Sequence, residues 1–158
     1  MARRKNKRLD RNTYYLSLAH IVANRGSCSR AQVGCVLVHK NRVVGTGYNS
    51  SHQGTPHCDE VGCLPDHKGH CQRTIHAEIS AILSMDNPHS ALLANVTHEP
   101  CMNCYKVMAA ANVKHIYYLN SHRLELTQRQ NYNELKKSIG IPCEKVKVEV
   151  SYNVKEED

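Results

Sequence analysis

Two short motifs constrain the fold of this chain more than any other feature: His76-Ala77-Glu78 and Glu99-Pro100-Cys101-Met102-Asn103-Cys104. One imidazole and two thiolates fill three positions of a tetrahedral zinc ion and leave the fourth to water, as in catalytic rather than structural zinc sites. The chain must therefore fold so that His76, Cys101 and Cys104 meet. We interpret these three residues as the ligands of a catalytic zinc ion.

Glu78 is the predicted catalytic residue. Two residues after His76, it cannot share that residue's helix face closely enough to ligate with it, but its carboxylate can lie beside the open metal position. Zinc lowers the pKa of water toward neutrality. A neighbouring carboxylate can then carry a proton from water to the substrate and help a leaving group depart.

The cysteine pair is expected at the start of a helix. Pro100 suits a first helical position, and residues spaced like Cys101 and Cys104 lie on one helix face, so both sulfurs point at one atom. The positive helix end favours thiolates. A lone Cys-x-x-Cys is equally compatible with a redox pair or half of a structural zinc site, but its conjunction with His-x-Glu is typical of zinc deaminases that act on nucleobases.

Length and composition favour one domain in a reducing compartment. A chain of 158 residues with 41% hydrophobic content can bury an ordinary core. It contains no apolar run of membrane-spanning length, and its N-terminus lacks the apolar segment of a secretory signal. Eight cysteines without such a signal suggest thiols that bind metal or pack in the core. We expect a cytoplasmic protein without a membrane partner.

Positive charge is concentrated at the N-terminus. Much of the net charge of +7 comes from Arg3, Arg4, Lys5, Lys7, Arg8 and Arg11. We expect residues 1–11 to form a basic flexible tail and residues 12–158 a single domain. Such a tail either binds nucleic acid or is a solvated extension, and a basic surface also suits an anionic nucleotide.

The order of predicted elements is typical of an α/β protein. A helix begins at Asn12 with one apolar face, and β-rich runs at 33–39 and 43–48 form a hairpin. Helices and strands then alternate: a helix from Thr74 that Pro88 ends, a strand at 92–97, a helix at 100–111, a strand at 113–119, a helix at 127–138 and an edge strand at 145–150. We expect a three-layer α/β/α fold with a five-stranded mixed sheet and with both zinc motifs opening helices on the same side.

Further stretches resemble the cytidine deaminase superfamily and, within it, deoxycytidylate (dCMP) deaminases of the bacterial and phage type. Two runs are more restrictive than the zinc motifs alone: His57-Cys58-Asp59-Glu60-Val61-Gly62-Cys63 and His70-Cys71-Gln72-Arg73-Thr74-Ile75-His76-Ala77-Glu78. The resemblance implies a cytidine-deaminase-like fold and zinc-dependent hydrolysis of dCMP to dUMP and ammonia, which supplies thymidylate synthesis. It also implies a homo-oligomer, commonly a hexamer, and in many members activation by dCTP and inhibition by dTTP.

The resemblance also assigns roles to single residues. His76, Cys101 and Cys104 match the family's zinc ligands, Glu78 matches its proton shuttle, and Asn49 matches the asparagine that holds a sugar hydroxyl. A buried amide that needs a hydroxyl as its hydrogen-bond partner would favour nucleotides, which carry a sugar hydroxyl, over free bases, which do not. The alternative for Asn49 is a turn-forming residue after a strand.

A second, structural zinc is predicted in the long polar stretch 49–73. Ligands gathered from distant loops would hold a segment that has little apolar surface of its own. Free thiols, or residues lining the nucleotide pocket, are the alternative, whereas Cys35 and Cys143 are ordinary residues. Four residues fall where some phage members carry a structural zinc, with Cys63 or His67 as substitutes: Cys28, Cys58, His70 and Cys71.

The sequence departs from the family pattern in three places. Ser50 and Ser51 stand where members usually have glycine after the Tyr-Asn pair, in a loop used by effector nucleotides, so regulation by dCTP and dTTP is in question. Ser80 replaces a usual asparagine. His122 lies where a tyrosine near the nucleotide is common, and it either contacts phosphate or caps an exposed loop.

Two other functions fit parts of the sequence. One is a related zinc deaminase that acts on another cytosine nucleotide or on tRNA adenosine, helped by the basic tail. The other is a zinc-organised nucleic-acid-binding module without catalysis, which leaves Glu78 unexplained. For the leading interpretation the partner is a small nucleotide rather than nucleic acid.

Overall fold

The computed structural model describes residues 8–67, 69–88 and 91–148. The helices are α1 (Arg11–Ala23), α2 (Cys58–Val61), α3 (Ala77–Leu83), α4 (Met102–Ala110) and α5 (Leu126–Ile139). The strands are β1 (Gly34–His39), β2 (Arg42–Tyr48), β3 (Ser50–Ser51), β4 (Thr74–Ile75), β5 (Leu92–His98), β6 (Val113–Asn120) and β7 (Cys143–Lys145).

Five strands form the main sheet, in the order β2-β1-β5-β6-β7. Strand β1 is antiparallel to β2 and β5, whereas β5, β6 and β7 run parallel. The tight turn between β1 and β2 places Lys40 and Asn41 at φ values of 46° and 64°, as two-residue hairpin turns require. The parallel connections cross over through α4 and α5. The predicted five-stranded mixed sheet is confirmed.

Strand β1 is buried on both faces of the sheet, because successive side chains of a strand point to opposite sides. One face packs against α3, α4 and α5, in a core that includes Cys35, Leu37, Ala77, Ala81, Tyr105, Met108 and Tyr132. The other face packs against α1, in a smaller cluster of Tyr15, Ala19, Val36 and Val38. The predicted three layers are therefore confirmed, and the helices that follow both zinc motifs lie on one side.

Glycines let α1 and α3 approach the hairpin very closely. A β-carbon at Gly34 would lie 2.0 Å from the backbone oxygen of Ala19, and one at Gly47 would lie 2.2 Å from the backbone nitrogen of Ala81. Side chains do not fit at such distances, so these two positions require glycine. The position of α3 matters because this helix carries Glu78.

Helix α1 begins one residue earlier than predicted. Asp10 is its N-cap and accepts a hydrogen bond from the Thr13 N–H at 3.0 Å, so Arg11 belongs to the helix and not to the tail. Residues 1–7, which make up most of the predicted tail, lie outside the described residues.

The prediction of an edge strand at 145–150 is wrong in its boundaries. Strand β7 ends at Lys145, and its residues pair with Ile116, Tyr117 and Tyr118 of β6. Residues 146–148 form no strand, and 149–150 lie outside the described residues. Alternation of valine with charge is typical of a strand, but the end of α5, where Gly140 is left-handed with φ 79°, sets where the chain enters the sheet.

Within the described residues, no helix is both long and apolar enough to cross a membrane.

Candidate metal centre

His76 lies at the junction between a short strand and a helix. The sequence predicts a helix from Thr74, but Thr74 and Ile75 form β4 and pair with Ser51 and Ser50 of β3. His76 is therefore the N-cap of α3, with an extended backbone. The predicted helix start is wrong because β-branched residues favour strands and their pairing partner lies far away in the sequence.

Cys101 is the N-cap of α4 rather than a residue inside the predicted helix. Its sulfur accepts a hydrogen bond from the Cys104 N–H at 3.5 Å. Cys104 lies in the first turn of α4 and is buried. Cap geometry, more than a shared helix face, brings the two sulfurs together.

His76, Cys101 and Cys104, hereafter the metal triad, fit a zinc ion. Their ligand atoms lie within 4.8 Å of one another. His76 Nδ1 is 3.3 Å from Cys104 Sγ and 3.7 Å from Cys101 Sγ. A tetrahedral zinc with ordinary bond lengths separates nitrogen and sulfur ligands by about 3.5 Å, so the triad is already spaced for the metal.

The thiols of the metal triad share their protons unequally. A hydrogen bond with the Cys104 side chain, with a further contribution from His76, lowers the pKa of Cys101 to about 3. The reciprocal hydrogen bond with Cys101, followed by burial, raises the pKa of Cys104. Cys101 is therefore a thiolate at neutral pH, which is the form that binds metal.

Glu78 lies on α3 next to the metal triad and is only 4% exposed. Burial raises the pKa of Glu78, and the Cys104 side chain contributes a hydrogen bond to its carboxyl group. A carboxyl group whose pKa moves toward neutrality can both accept and release a proton at working pH. The arrangement suits a proton carrier.

Asn49 is buried between β2 and β3, and its side chain is hydrogen-bonded to the loop before β1. Its Oδ1 accepts a hydrogen bond from the Val33 N–H at 2.8 Å, and its Nδ2 donates to the Ala31 carbonyl at 2.7 Å. An amide side chain has two donor hydrogens and two acceptor lone pairs, so one of each remains. The role of Asn49 as a sugar ligand stays a prediction.

Three cysteines form a second group of ligands, the thiol cluster: Cys58, Cys63 and Cys71. Their sulfurs lie within 4.8 Å of one another, and Cys58 Sγ is 3.6 Å from Cys71 Sγ. The Thr74 hydroxyl lies 3.6 Å from the first sulfur and 3.5 Å from the second. Burial raises the pKa of Cys71, but hydrogen bonds from Thr74 and from backbone groups outweigh it and bring this pKa to about 6.

The ligand set of the thiol cluster differs from the one predicted from sequence. Cys58 and Cys71 are in it and Cys63 takes part, as the substitute named above, but Cys28 and His70 do not join it within the described chain. His70 Nδ1 instead lies 3.5 Å from a carboxylate oxygen of Asp66. His67 is exposed.

The residues that depart from the family pattern lie in three different parts of the structure. Ser50 and Ser51 form β3, which holds the strand that leads into His76. Ser80 is half-buried on α3. The His122 N–H donates to a carboxylate oxygen of Glu99 at 3.1 Å, so this residue is anchored through its backbone.

Sequence reasoning missed a group of residues behind Cys101. Glu99 is buried, and it contacts Arg129 and Lys136 of α5. Burial would raise the pKa of Glu99, but these two cations outweigh it and lower this pKa. Arg129, Tyr132 and Lys136 are spaced i, i+3 and i+7 and so share one helix face, which is the signal that could have found the group.

Comparisons with known proteins agree with this geometry. The family model described as the cytidine and deoxycytidylate deaminase zinc-binding region matches residues 9–120. ComE operon protein 2 of Bacillus subtilis is 34% identical over 146 residues, which cover 90% of this chain and 75% of that protein. Deoxycytidylate deaminase of Mycobacterium phage D29 is 34% identical over 122 residues, which cover 70% of this chain and 95% of that protein.

A solved structure is similar in fold. The dCMP deaminase from cyanophage S-TIM5, in complex with dCMP and dUMP, superposes with a TM-score of 0.69 at 24% sequence identity. The match covers 84% of this chain and 94% of that one.

Proposed function

Because this chain belongs to the family of cytidine and deoxycytidylate deaminases that share the zinc-binding region, we propose that it hydrolyses dCMP to dUMP and ammonia. Zinc-dependent deamination follows from the family, and the nucleotide is our proposal. Support comes from the phage relative, which is a deoxycytidylate deaminase, and from the cyanophage structure, which holds dCMP and dUMP. The observation that carries the proposal is the buried Glu78 beside a metal triad of zinc spacing.

His76, Cys101 and Cys104 would hold the ion, which when bound supplies a Lewis acid that lowers the pKa of water. Glu78 takes a proton from the attacking water and gives it to the ring nitrogen next to the attacked carbon. It then takes the second proton from the hydroxyl now bonded to that carbon and gives it to the amino group, which leaves as ammonia while the carbonyl forms. Water and dCMP are consumed, dUMP and ammonia are formed, and the carboxylate is regenerated.

Asn49 is the proposed sugar ligand. Its amide is oriented by the Val33 N–H and the Ala31 carbonyl, so its remaining hydrogen-bonding capacity has a fixed direction. A nucleotide hydroxyl would pair with that group, whereas a free base would leave it unpaired. We expect Asn49→Ala to raise KM for dCMP more than it lowers kcat, provided that the loop stays folded.

The thiol cluster is the proposed second zinc site, with a structural role. Tetrahedral zinc separates two thiolates by about 3.8 Å, close to the 3.6 Å between Cys58 and Cys71. The fourth ligand would be Cys28 or His70 from the sequence prediction, or solvent. Zinc content of two ions per chain in the wild type, and of one in Cys63→Ser, would support this; one ion in both would contradict it.

We also propose a homo-oligomer, most simply the hexamer common in the family. Light scattering of the purified protein tests the mass. Effector binding is proposed with less sequence support, because Ser50 and Ser51 replace the usual glycine and form β3. Turnover of dCMP with added dCTP or dTTP tests it directly.

The deciding experiment follows cytosine absorbance after addition of zinc-loaded protein to dCMP. Parallel reactions use CMP, dCTP, deoxycytidine and a tRNA anticodon stem-loop. Faster turnover of dCMP than of the other substrates supports the proposal, and inosine formation in the tRNA supports the alternative. A nucleic-acid-binding module would instead bind in a salt-sensitive way without turnover and lose binding when residues 1–7 are removed, a truncation that leaves the Asp10 cap of α1 in place.

A further inference from the structure

A buried carboxylate behind the metal triad is held by two cations from α5. The Glu99 side chain is 1% exposed. Arg129 Nη1 donates to both of its oxygens, at 2.9 Å and 3.0 Å, and Lys136 Nζ donates to one of them at 3.2 Å. Charge-assisted hydrogen bonds of this kind are stronger than neutral ones, so Glu99 is firmly fixed to α5.

The next residue along the chain is fixed to the same helix. The buried Tyr132 hydroxyl donates to the Pro100 carbonyl at 2.7 Å. The Lys136 ammonium also lies over the ring of Tyr132, 4.5 Å from its centroid. Two consecutive residues, Glu99 and Pro100, are thus tied to α5 immediately before the zinc ligand Cys101.

The backbone that enters Cys101 connects the end of β5 with the start of α4. Cys101 is an N-cap with an extended backbone, and its carbonyl accepts the first hydrogen bond of α4, from the Tyr105 N–H at 2.9 Å, so the intrahelical bonds of α4 hold Cys101 but not the two residues before it. Its sulfur can stay at 3.7 Å from His76 Nδ1 only if the preceding residues keep their place. The Glu99 N–H donates to the Asn120 carbonyl at 2.7 Å, and the contacts of the Glu99 side chain and the Pro100 carbonyl with α5 supply the rest of that constraint.

We propose that Glu99 and Tyr132 are positioning residues for the zinc ligand Cys101. Helix α5 acts through them to hold the metal triad at its zinc spacing, although it supplies no ligand itself. Loss of such outer contacts typically costs 10–100-fold in metal affinity. This inference rests on the metal triad and not on the identity of the nucleotide.

The test compares two tyrosines that differ in what their hydroxyls hold. Tyr132 and Tyr105 are both fully buried and pack edge to face. The Tyr105 hydroxyl donates to the Ile141 carbonyl at 2.6 Å, away from the residues that precede Cys101. Tyr105→Phe therefore controls for the loss of a buried hydroxyl, whereas Tyr132→Phe removes the contact with Pro100.

Zinc affinity is measured by competition with a chromophoric chelator, and a Cys101→Ser variant identifies the part of the signal that belongs to the metal triad rather than to the thiol cluster. We expect Tyr132→Phe and Glu99→Gln to weaken this affinity about 10-fold or more. Tyr105→Phe should stay within about two-fold of the wild type, because it leaves outer contacts of the triad intact. The absorption spectrum of the cobalt-loaded protein gives a second measurement. Its thiolate-to-cobalt band should change in Tyr132→Phe and Glu99→Gln but not in Tyr105→Phe.

Equal zinc affinity and equal cobalt spectra in Tyr132→Phe and Tyr105→Phe would overturn the proposal and leave α5 a purely structural element. If Glu99→Gln does not fold, the tyrosine pair decides alone. Arg129 is not the primary test site, because it also donates to the His122 carbonyl and its loss would disturb a second loop. Absence of dCMP turnover in the wild type would count against the proposed function without changing the zinc comparison.

Discussion

The two cysteine-containing clusters of this protein are supported in opposite ways. The metal triad is formed at the starts of α3 and α4, whose Ala81 and Met108 lie in the main core. The thiol cluster is formed by a segment whose regular structure, among its described residues, is one four-residue helix and a bridge between Pro65 and Cys71. One site is therefore held by the fold, whereas the other has to be held largely by its own contacts.

Burial shows the same contrast. Val61 and Leu64, which flank Cys63, are 54% and 52% exposed, so little apolar surface holds that segment in place. Metal binding can replace a hydrophobic core as the source of folding free energy. We infer that metal acts on chemistry at the first site and on structure at the second.

The largest expected effect is a loss of turnover, and it distinguishes a catalytic residue from a structural one. Glu78→Gln keeps the size of the side chain but cannot carry a proton, so we expect turnover to fall by about 10²–10⁴-fold. Zinc content should not change, because Glu78 is not a ligand. Cys63→Ser should lower turnover much less, and an equal loss in both variants would break the distinction between the two sites.

The next prediction concerns the packing of α3, the helix that carries Glu78, against the β1–β2 hairpin. In Gly47→Ala the new methyl group would meet the backbone of α3 2.2 Å away at the Ala81 nitrogen. We expect a loss of about 1–3 kcal/mol in unfolding free energy from overpacking, together with lower activity, because the helix that carries Glu78 must move. Gly54→Ala, where no atom lies within 4 Å but φ is +79°, is the comparison for backbone strain alone.

Removing the metal should show, without any substitution, that the thiol cluster depends on metal for its structure more than the sheet does. After treatment with a strong chelator, we expect amides of residues 58–72 to exchange hydrogen much faster while those of β1 and β5 keep their protection. Hydrogen exchange read by mass spectrometry measures both regions in one experiment. Equal loss of protection in the segment and in the sheet would mean that the metal supports the whole fold.

The smallest expected effect is at the start of α1, a helix that packs on the face of the sheet opposite α3 and α4. Hydrogen bonds with Thr13 lower the pKa of Asp10 below its ordinary value of 3.8. The charged cap therefore stabilises the fold above that ordinary pKa, and this contribution is lost as pH falls through the lowered one. Asp10→Ala should lower Tm slightly at neutral pH and not in strong acid, with both metal sites unchanged; Asp10→Asn should retain most of the cap.

Sequence patterns were sufficient for the order of the elements and for the metal triad. The β-rich runs at 33–39 and 43–48 predicted the hairpin of β1 and β2, and the spacing of the two zinc motifs identifies the metal triad. The start of α3 was misplaced because Thr74 and Ile75 take their conformation from pairing with β3, which is distant in sequence. Local propensity cannot report such a partner.

The ligands of the thiol cluster and the contacts of Glu99 with α5 were harder to predict from sequence, for a different reason. Which of the loop cysteines and histidines meet depends on the path of an aperiodic segment, so Cys63 could not be preferred over His70 in advance. Glu99 attracted no separate attention because a single carboxylate before a proline has no period. Its partners on α5 become visible only when the helix face of Arg129, Tyr132 and Lys136 is considered together.

The glycines at 34 and 47 limit how this scaffold can change its substrate. At these two positions no side chain separates the hairpin from the backbones of α1 and α3, so the helix that carries Glu78 has no compressible spacer there and cannot move toward the sheet to enlarge the space beside the metal triad. Laboratory evolution toward purine substrates should therefore remodel the surface connections at 52–57 and 121–125, and it should leave both glycines untouched.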